Sequence, residues 1–121
     1  MARNDRELEI QARNESACPS VRSFNEIGEI WRLNILHALM DEEMRFNELK
    51  RATNARSRTL SNALDSLREN GYVDRRSEQA APIAVYYSLS EKGQALKPVF
   101  DELAEWADQW IDGASADETE P

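Results

Sequence analysis

The order of apolar and β-forming segments between residues 45 and 89 constrains the fold of this chain more than any other feature. A short apolar-periodic segment and a turn precede residues 57–70, whose apolar side chains recur at intervals of three and four, the spacing of one helix face. Two runs of β-forming residues, 72–76 and 85–89, then flank a loop. This order predicts two helices joined by a turn and followed by a hairpin, which is the arrangement of a winged helix-turn-helix.

Cap-forming and turn-forming residues support these boundaries. Asn47 and Ser57 are suited to cap the two helices, and Asn54 tolerates the positive φ of a tight turn. Gly71 suits the left-handed turn after the second helix, and residues 44–46 predict a brief strand. The inward-facing residues are expected to be Phe46, Leu49 and Ala52 on the first helix and Leu60, Ala63, Leu64 and Leu67 on the second.

Further helices are predicted on both sides of this unit. Residues 21–27 and 31–39 show helical spacing and are separated at Gly28. Ser90 is suited to cap a final helix, in which Pro98 would either cause a kink or restart the helix at its first turn. The predicted fold class is α+β and mostly α, with a two-stranded wing and a C-terminal helix.

Length and composition predict the domain organisation. The 121 residues suit one domain, residues 18–112. Residues 1–17 lack a sustained apolar period and residues 113–121 are acidic, so a flexible N-terminal arm and a flexible acidic tail are expected. No apolar run approaches the roughly 20 residues of a membrane span, and the first residues are too polar for a signal peptide. We therefore expect a cytoplasmic protein without membrane contact.

Residues suited to catalysis or to metal binding are scarce. One cysteine, Cys18, and one histidine, His37, exclude an internal disulfide and a Cys/His zinc cluster. The sequence contains no Gly-rich phosphate loop and no cofactor motif. An enzyme, a metal site and a bound cofactor are therefore not expected.

The distribution of charge indicates the partner. The net charge is -8, but residues 45–76 contain eight Lys/Arg against four Asp/Glu. A local basic excess on this segment suits the phosphates of double-stranded DNA. The acidic remainder, together with the three lysines against twelve arginines of the whole chain, suggests a halophilic adaptation; an ordinary acidic protein kept soluble by its charge is the alternative interpretation.

The outward face of the second helix carries side chains that read or clamp DNA. The N-terminal turns of a recognition helix enter the major groove. Arg58 and Asn62 share a face, so we predict base contacts for them, to guanine and adenine, whereas a solvated polar face is the alternative. Phosphate contacts are expected from Ser57 and Thr59, from the end of the supporting helix and from the base of the wing. The predicted DNA-binding residues are Lys50, Arg51, Arg56, Ser57, Arg58, Thr59, Asn62, Arg75 and Arg76.

In this order, the segments resemble the HxlR family of winged helix-turn-helix regulators over nearly all of residues 18–111. The turn departs from the family's common form, because it is shorter and has Ala55-Arg56 where a Gly-Ile pair is usual. The resemblance is carried by Cys18-Pro19, Ile27-Gly28 with Trp31 and Ile35-Leu36, Arg45-Phe46-Asn47-Glu48-Leu49, Thr59-Leu60-Ser61 with Leu64 and Leu67, Gly71-Tyr72-Val73 and Tyr87-Ser88-Leu89-Ser90-Glu91-Lys92-Gly93.

The C-terminal helix carries an apolar stripe that is too wide for one helix to bury. It packs either on its own domain or on the same stripe of a second subunit. The resemblance implies the second arrangement, a homodimer whose recognition helices lie one DNA turn, roughly 34 Å, apart on a palindrome. The predicted dimerisation residues are Phe100, Leu103, Trp106, Ala107 and Trp110.

Cys18 has two interpretations. Some members of the family sense oxidants or electrophiles through a cysteine at this place, which makes Cys18 a candidate redox sensor. A small packing residue near the dimer seam is the other interpretation.

Together these observations predict a sequence-specific DNA-binding transcriptional regulator. A repressor is the simpler form, because a bound homodimer blocks polymerase without an activating surface. The alternative function is a winged-helix protein-interaction module that does not read bases. The sequence names no small-molecule effector.

Overall fold

The computed structural model describes residues 2–79 and 82–111. In these two segments three strands form one antiparallel sheet in the order β1-β3-β2. The predicted winged helix-turn-helix is confirmed, with α4 and α5 as its two helices and β2 and β3 as the wing. The elements are α1 (Ala2–Ala17), α2 (Pro19–Ile27), α3 (Ile30–Leu39), β1 (Met44–Arg45), α4 (Phe46–Thr53), α5 (Ser57–Glu69), β2 (Val73–Glu78), β3 (Ala84–Leu89), α6 (Glu91–Gln94) and α7 (Lys97–Trp110).

The core lies where α3, α4 and α5 meet the closed end of the wing. All four predicted inward residues of α5 are buried, and the pair Val73 and Leu89 closes the core from the sheet. Each fully buried Leu or Ile side chain contributes about 1.5–3 kcal/mol through the hydrophobic effect. The largest fully buried side chains are Ile35, Leu36, Leu39, Leu49, Leu60, Leu64 and Leu67.

Both predicted N-caps were wrong by one or two residues. α4 begins at Phe46, so Asn47 lies within the helix and Arg45 is the N-cap. The Glu48 carboxylate accepts a hydrogen bond of 2.8 Å from the Arg45 backbone N–H, which stabilises this earlier start. α5 likewise has Arg56 as its N-cap and begins at Ser57.

The inward face of α4 also differs from the prediction at one position. Ala52 is exposed, and its neighbour Thr53 is buried instead. The Thr53 hydroxyl can occupy the core because it donates a hydrogen bond of 2.8 Å to the Leu49 carbonyl. Leu49 is fully buried and Phe46 packs against the core at its edge, as predicted.

The predicted turn conformations are confirmed. Asn54 has φ 58° and ψ 27°, in the left-handed region, and joins α4 to α5. Gly71 has φ 82° after α5, and this conformation requires glycine or a residue that tolerates strain.

The wing strands are longer than predicted. The sequence placed residues 77–84 in a loop, but β2 extends to Glu78 and β3 starts at Ala84, with Ser77 paired to Val85. Ser and Glu have low intrinsic strand preference, and pairing with a strand already held on its other edge by β1 overrides it.

α1 is a helix that the sequence did not predict, within the segment expected to form a flexible arm. Its residues include Glu, Arg, Gln and Leu, which are strong helix formers even where no apolar stripe exists. The predicted acidic tail, residues 113–121, lies outside the described residues. No helix in the described segments is long and apolar enough to cross a bilayer.

The final helix restarts at Pro98 rather than kinking. Ser90 caps α6 by accepting a hydrogen bond from the Gly93 N–H, as predicted. α6 ends at Gln94, and α7 begins at Lys97 with Pro98 in its first turn, where a missing N–H costs no helical hydrogen bond.

A polar cluster attaches α2 to the core. The buried Tyr72 donates a hydrogen bond of 2.6 Å from its hydroxyl to Glu26 Oε1, and Lys92 Nζ lies 3.6 Å from the same oxygen. The Lys92 ammonium also lies 4.2 Å from the Tyr72 ring centroid. Burial raises the pKa of Tyr72 to about 12, and the Tyr72 hydroxyl together with Lys92 lowers the pKa of Glu26.

The close packing around Gly93 can be tested by substitution. A Cβ on Gly93 would overlap the Tyr72 carbonyl oxygen and press on the Leu89 side chain. We expect Gly93→Ala to lower the free energy of unfolding by about 1–3 kcal/mol through overpacking. Gln94→Ala, at the next and exposed position of α6, should change it by no more than about 0.5 kcal/mol. Urea denaturation followed by circular dichroism measures both, and equal stabilities of the two variants would contradict the close approach.

Candidate nucleic-acid interface

α5 presents a polar face to solvent because its apolar face is fixed in the core. Arg58 and Asn62 are both exposed and lie about 40° apart around the helix axis. The same face continues to Asp65 and Glu69, and Asp65 lies 4.0 Å from the guanidinium of Arg68. Side chains suited to DNA therefore occupy the N-terminal turns of α5, while carboxylates occupy its C-terminal end.

Thr59 and Asn62 also line a shallow groove that the sequence did not predict. Its other wall is the start of α3, with Glu29, Trp31 and Arg32. Thr59 is half-buried, so this residue is less accessible than expected. The Glu29 carboxylate accepts a hydrogen bond of 3.0 Å from the Arg32 backbone N–H and caps α3. No sequence signal linked α3 to α5, because this proximity arises from helix packing.

The first turn of α5 is exposed and has no side-chain cap. Arg56 and Ser57 are both exposed, and the Arg56 side chain makes no hydrogen bond to the helix. Backbone N–H groups at the start of a helix, together with the helix dipole, favour an anion such as a DNA phosphate.

The supporting helix adds two cations beside this turn. Lys50 and Arg51 lie in the last turns of α4 and are exposed. In the described part of the chain, neither forms an ion pair. Arg51 also lines a groove between α4 and the start of β3, together with Arg45 and Ile83. This groove places cations beside the wing.

The two arginines of the wing lie on opposite faces of the sheet. Arg75 pairs with Tyr87, which packs against the core, whereas Arg76 pairs with Tyr86. Arg75 therefore shares the face that the helices cover, and it forms no ion pair within the described residues. The Arg76 guanidinium binds two carboxylates, Glu43 at 2.8 Å and Glu78 at 2.9 Å. The sequence predicted the same role for these adjacent arginines, whereas the structure places them on opposite faces of the sheet.

The apolar stripe of α7 is only partly covered by its own domain. Phe100 packs against the core and contacts His37 edge-on, with ring centroids 6.4 Å apart, and Ala107 is half-buried. Leu103, Trp106 and Trp110 are 53%, 52% and 68% exposed. The domain therefore leaves most of this face open.

Cys18 lies at the start of α2. It is the N-cap residue of that helix, half-buried and with a free thiol. Among the described side chains, no group of three His, Cys, Asp or Glu residues is placed to hold a metal ion.

The fold and the exposed, cation-bearing start of α5 define a winged helix-turn-helix DNA-binding protein. The HxlR-like helix-turn-helix model matches residues 26–115, so the chain belongs to this family. The transcriptional regulator YodB of Bacillus subtilis is 38% identical over 97 residues, which are 78% of this chain and 87% of YodB. An uncharacterized regulator of Methanothermobacter thermautotrophicus is 34% identical over 94 residues, 77% of this chain and 72% of the relative.

Solved structures agree with this assignment. The reduced form of YodB superposes with a TM-score of 0.71 at 37% identity and covers 78% of this chain and 95% of YodB. The redox regulator HypR in its reduced form gives a TM-score of 0.72 at 29% identity, with 82% and 99% of the two chains covered. The protein is thus a DNA-binding transcriptional regulator of the helix-turn-helix type.

Proposed function

We propose that this protein is a repressor that binds a palindromic operator as a homodimer, with the N-terminal half of α5 in the major groove. The observation that carries the proposal is the exposed pair Arg58 and Asn62 on a helix whose opposite face is fully buried. Arg suits the O6 and N7 acceptors of guanine, and Asn suits the N6 donor and N7 acceptor of adenine.

The remaining predicted residues other than Arg76 are proposed to bind the DNA backbone. The start of α5, with Arg56, Ser57 and Thr59, would contact one phosphate through side chains and backbone N–H groups. Lys50 and Arg51 flank this site on α4, and Arg75 extends it onto the wing. Such contacts set affinity and register but carry no sequence information.

The homodimer is supported by the open stripe of α7. Leu103, Trp106 and Trp110 each expose half or more of their surface, and exposed indole rings favour burial against a partner. A second copy of the chain carries the same stripe, so a twofold dimer would bury the stripes of both copies. It would also place two copies of α5 on one side of a duplex.

A protein-interaction module remains the second candidate function. It would use a winged helix that presents no base-reading side chains. The cations at the start of α5 and their freedom from ion pairs within the described segments favour DNA instead.

The first test compares base and phosphate contacts. We expect Arg58→Ala to weaken operator binding by about 1–3 kcal/mol and to relax the preference at one base pair. Lys50→Ala should weaken binding to all duplexes alike. Arg68→Ala, which removes an arginine paired with Asp65 at the other end of α5, is the matched control and should bind normally.

Fluorescence anisotropy measures these affinities, with a duplex from upstream of the protein's own gene and an unrelated duplex as competitor. Equal binding of the two duplexes by the parent protein at every KCl concentration would contradict sequence-specific recognition. A reporter gene under the bound promoter measures repression, and higher expression in the presence of the protein would contradict it.

The second test addresses the dimer. Trp106→Glu places a charge on the open stripe, so we expect a monomer that has lost tight operator binding. Gln109→Glu adds the same charge at an exposed position three residues along α7 and should remain a dimer. Sedimentation velocity measures both, and a dimeric Trp106→Glu protein would exclude this stripe as the interface.

The third test addresses Cys18, for which we propose redox sensing. The half-buried thiol at the start of α2 is free, and the similar proteins include a redox regulator and a diamide-treated YodB. We expect Cys18→Ser to bind DNA normally under reducing conditions and to keep its binding after diamide, which should release the parent protein. Equal release of both proteins would assign Cys18 a packing role.

A further inference from the structure

We propose that Arg76 positions the wing relative to the recognition helix and does not itself bind a DNA phosphate. The proposal rests on the proposed function, since it concerns the same interface. Its basis is a cluster formed by Arg76, Glu43, Glu78 and Tyr86 on the face of the sheet away from the helices.

The guanidinium of Arg76 has partners on three sides. Its Nη2 donates to Glu43 Oε1 at 2.8 Å, and its Nη1 donates to Glu78 Oε1 at 2.9 Å. The carbon at its centre lies 4.7 Å from the centroid of the Tyr86 ring, the distance of a cation-π contact. The hydrogen bond to Glu78, and after it the one to Glu43, raises the pKa of Arg76. Two of the five N–H donors of this guanidinium are therefore directed at carboxylates of this chain, and the Tyr86 ring covers one of its faces.

These partners belong to different parts of the domain. Glu78 lies on the same strand as Arg76, two residues along, and therefore on the same face. Tyr86 lies on β3, where it is paired with Arg76 on one side and with Arg45 of β1 on the other. Glu43 lies 33 residues earlier in the sequence, in the connection from α3 to β1. Arg76 therefore joins the wing to a connection that leads directly into the helical core.

The charges in this cluster disfavour a phosphate. Two carboxylates are paired with the one guanidinium of Arg76, so these three side chains together carry a net charge of about -1. Arg45, on the other side of Tyr86, forms no ion pair with either carboxylate in the described part of the chain. Arg75 differs in both respects, because it lies on the opposite face and has no carboxylate partner in the described part of the chain. Arg75 is thus available to DNA, and Arg76 fixes the strand β2 that carries Arg75.

The consequence for binding is geometric. The wing extends from the core on β2 and β3, and beyond the Val73–Leu89 pair none of its described residues is buried. A contact from Glu43 to Arg76 restricts its rotation about the core. Such a restriction holds Arg75 in register with α5, so that both reach one duplex with a smaller loss of conformational entropy on binding.

The sharpest test is Glu43→Gln, because the two roles of Arg76 predict opposite signs. If Arg76 positions the wing, loss of the Glu43 charge should weaken DNA binding severalfold. If Arg76 binds phosphate, removal of a competing carboxylate should strengthen binding or leave it unchanged. Glu42→Gln removes the same charge from the adjacent exposed residue, which has no ion pair in the described segments, and is the matched control.

Arg75→Gln and Arg76→Gln form a second matched pair. The logarithm of the affinity falls with the logarithm of KCl concentration at a slope set by the phosphates contacted, so loss of one contact flattens this slope by about 0.9. We expect this flattening in Arg75→Gln, and weaker binding with an unchanged slope in Arg76→Gln. The upstream duplex and the unrelated duplex serve as probes.

Amide hydrogen exchange of the DNA-free protein provides a readout that does not depend on DNA. We expect Arg76→Gln and Glu43→Gln to accelerate exchange of the amides of residues 73–78, and Arg75→Gln and Glu42→Gln to leave it unchanged. Unchanged exchange in Arg76→Gln, or a slope flattened as in Arg75→Gln, would overturn the proposal. If the parent protein binds neither duplex, the proposed function fails and the exchange comparison alone decides the role of Arg76.

Discussion

The burial of one face of α5 is the constraint on which the rest of the structure depends. Leu60, Leu64 and Leu67 are fully enclosed by α3, α4 and the closed end of the wing. Because these side chains fix the rotation of the helix about its axis, the polar residues between them must face solvent. The exposure of Arg58 and Asn62 is therefore a consequence of core packing.

The cations of α4, α5 and the wing are gathered on one surface, which would allow this surface to bind DNA although the chain as a whole is acidic. With a net charge of -8, the whole molecule repels DNA at a distance, and the cations that would bind it are gathered on α4, the first turns of α5 and one face of the wing. Several carboxylates on the neighbouring elements are paired, Glu29 and Glu48 as caps and Glu43 and Glu78 with Arg76. Their pairing reduces the repulsion that DNA would meet there.

In a dimer formed through α7, the open stripe would link assembly to recognition. Three further apolar side chains of α7, Leu103, Trp106 and Trp110, are half or more exposed, whereas Phe100 packs against the core. An exposed apolar face of this kind favours self-association. In a twofold dimer the orientation of α7 would determine the separation of the two α5 helices, so the same residues would govern both stability and operator spacing.

The sequence by itself determined the order of the central elements, the buried face of α5 and the left-handed turns at Asn54 and Gly71, because helical spacing and φ preference are local properties. It did not determine the helix α1, which forms by helix propensity without an apolar stripe. It also did not determine the burial of Thr53, which depends on a hydrogen-bonded hydroxyl, or the length of the wing strands, which depends on pairing with β1. Only the tertiary structure distinguished Arg75 from Arg76. Adjacent arginines are equivalent in composition, but the pleat of β2 places one of them with the helices and the other beside Glu43, 33 residues away in the sequence.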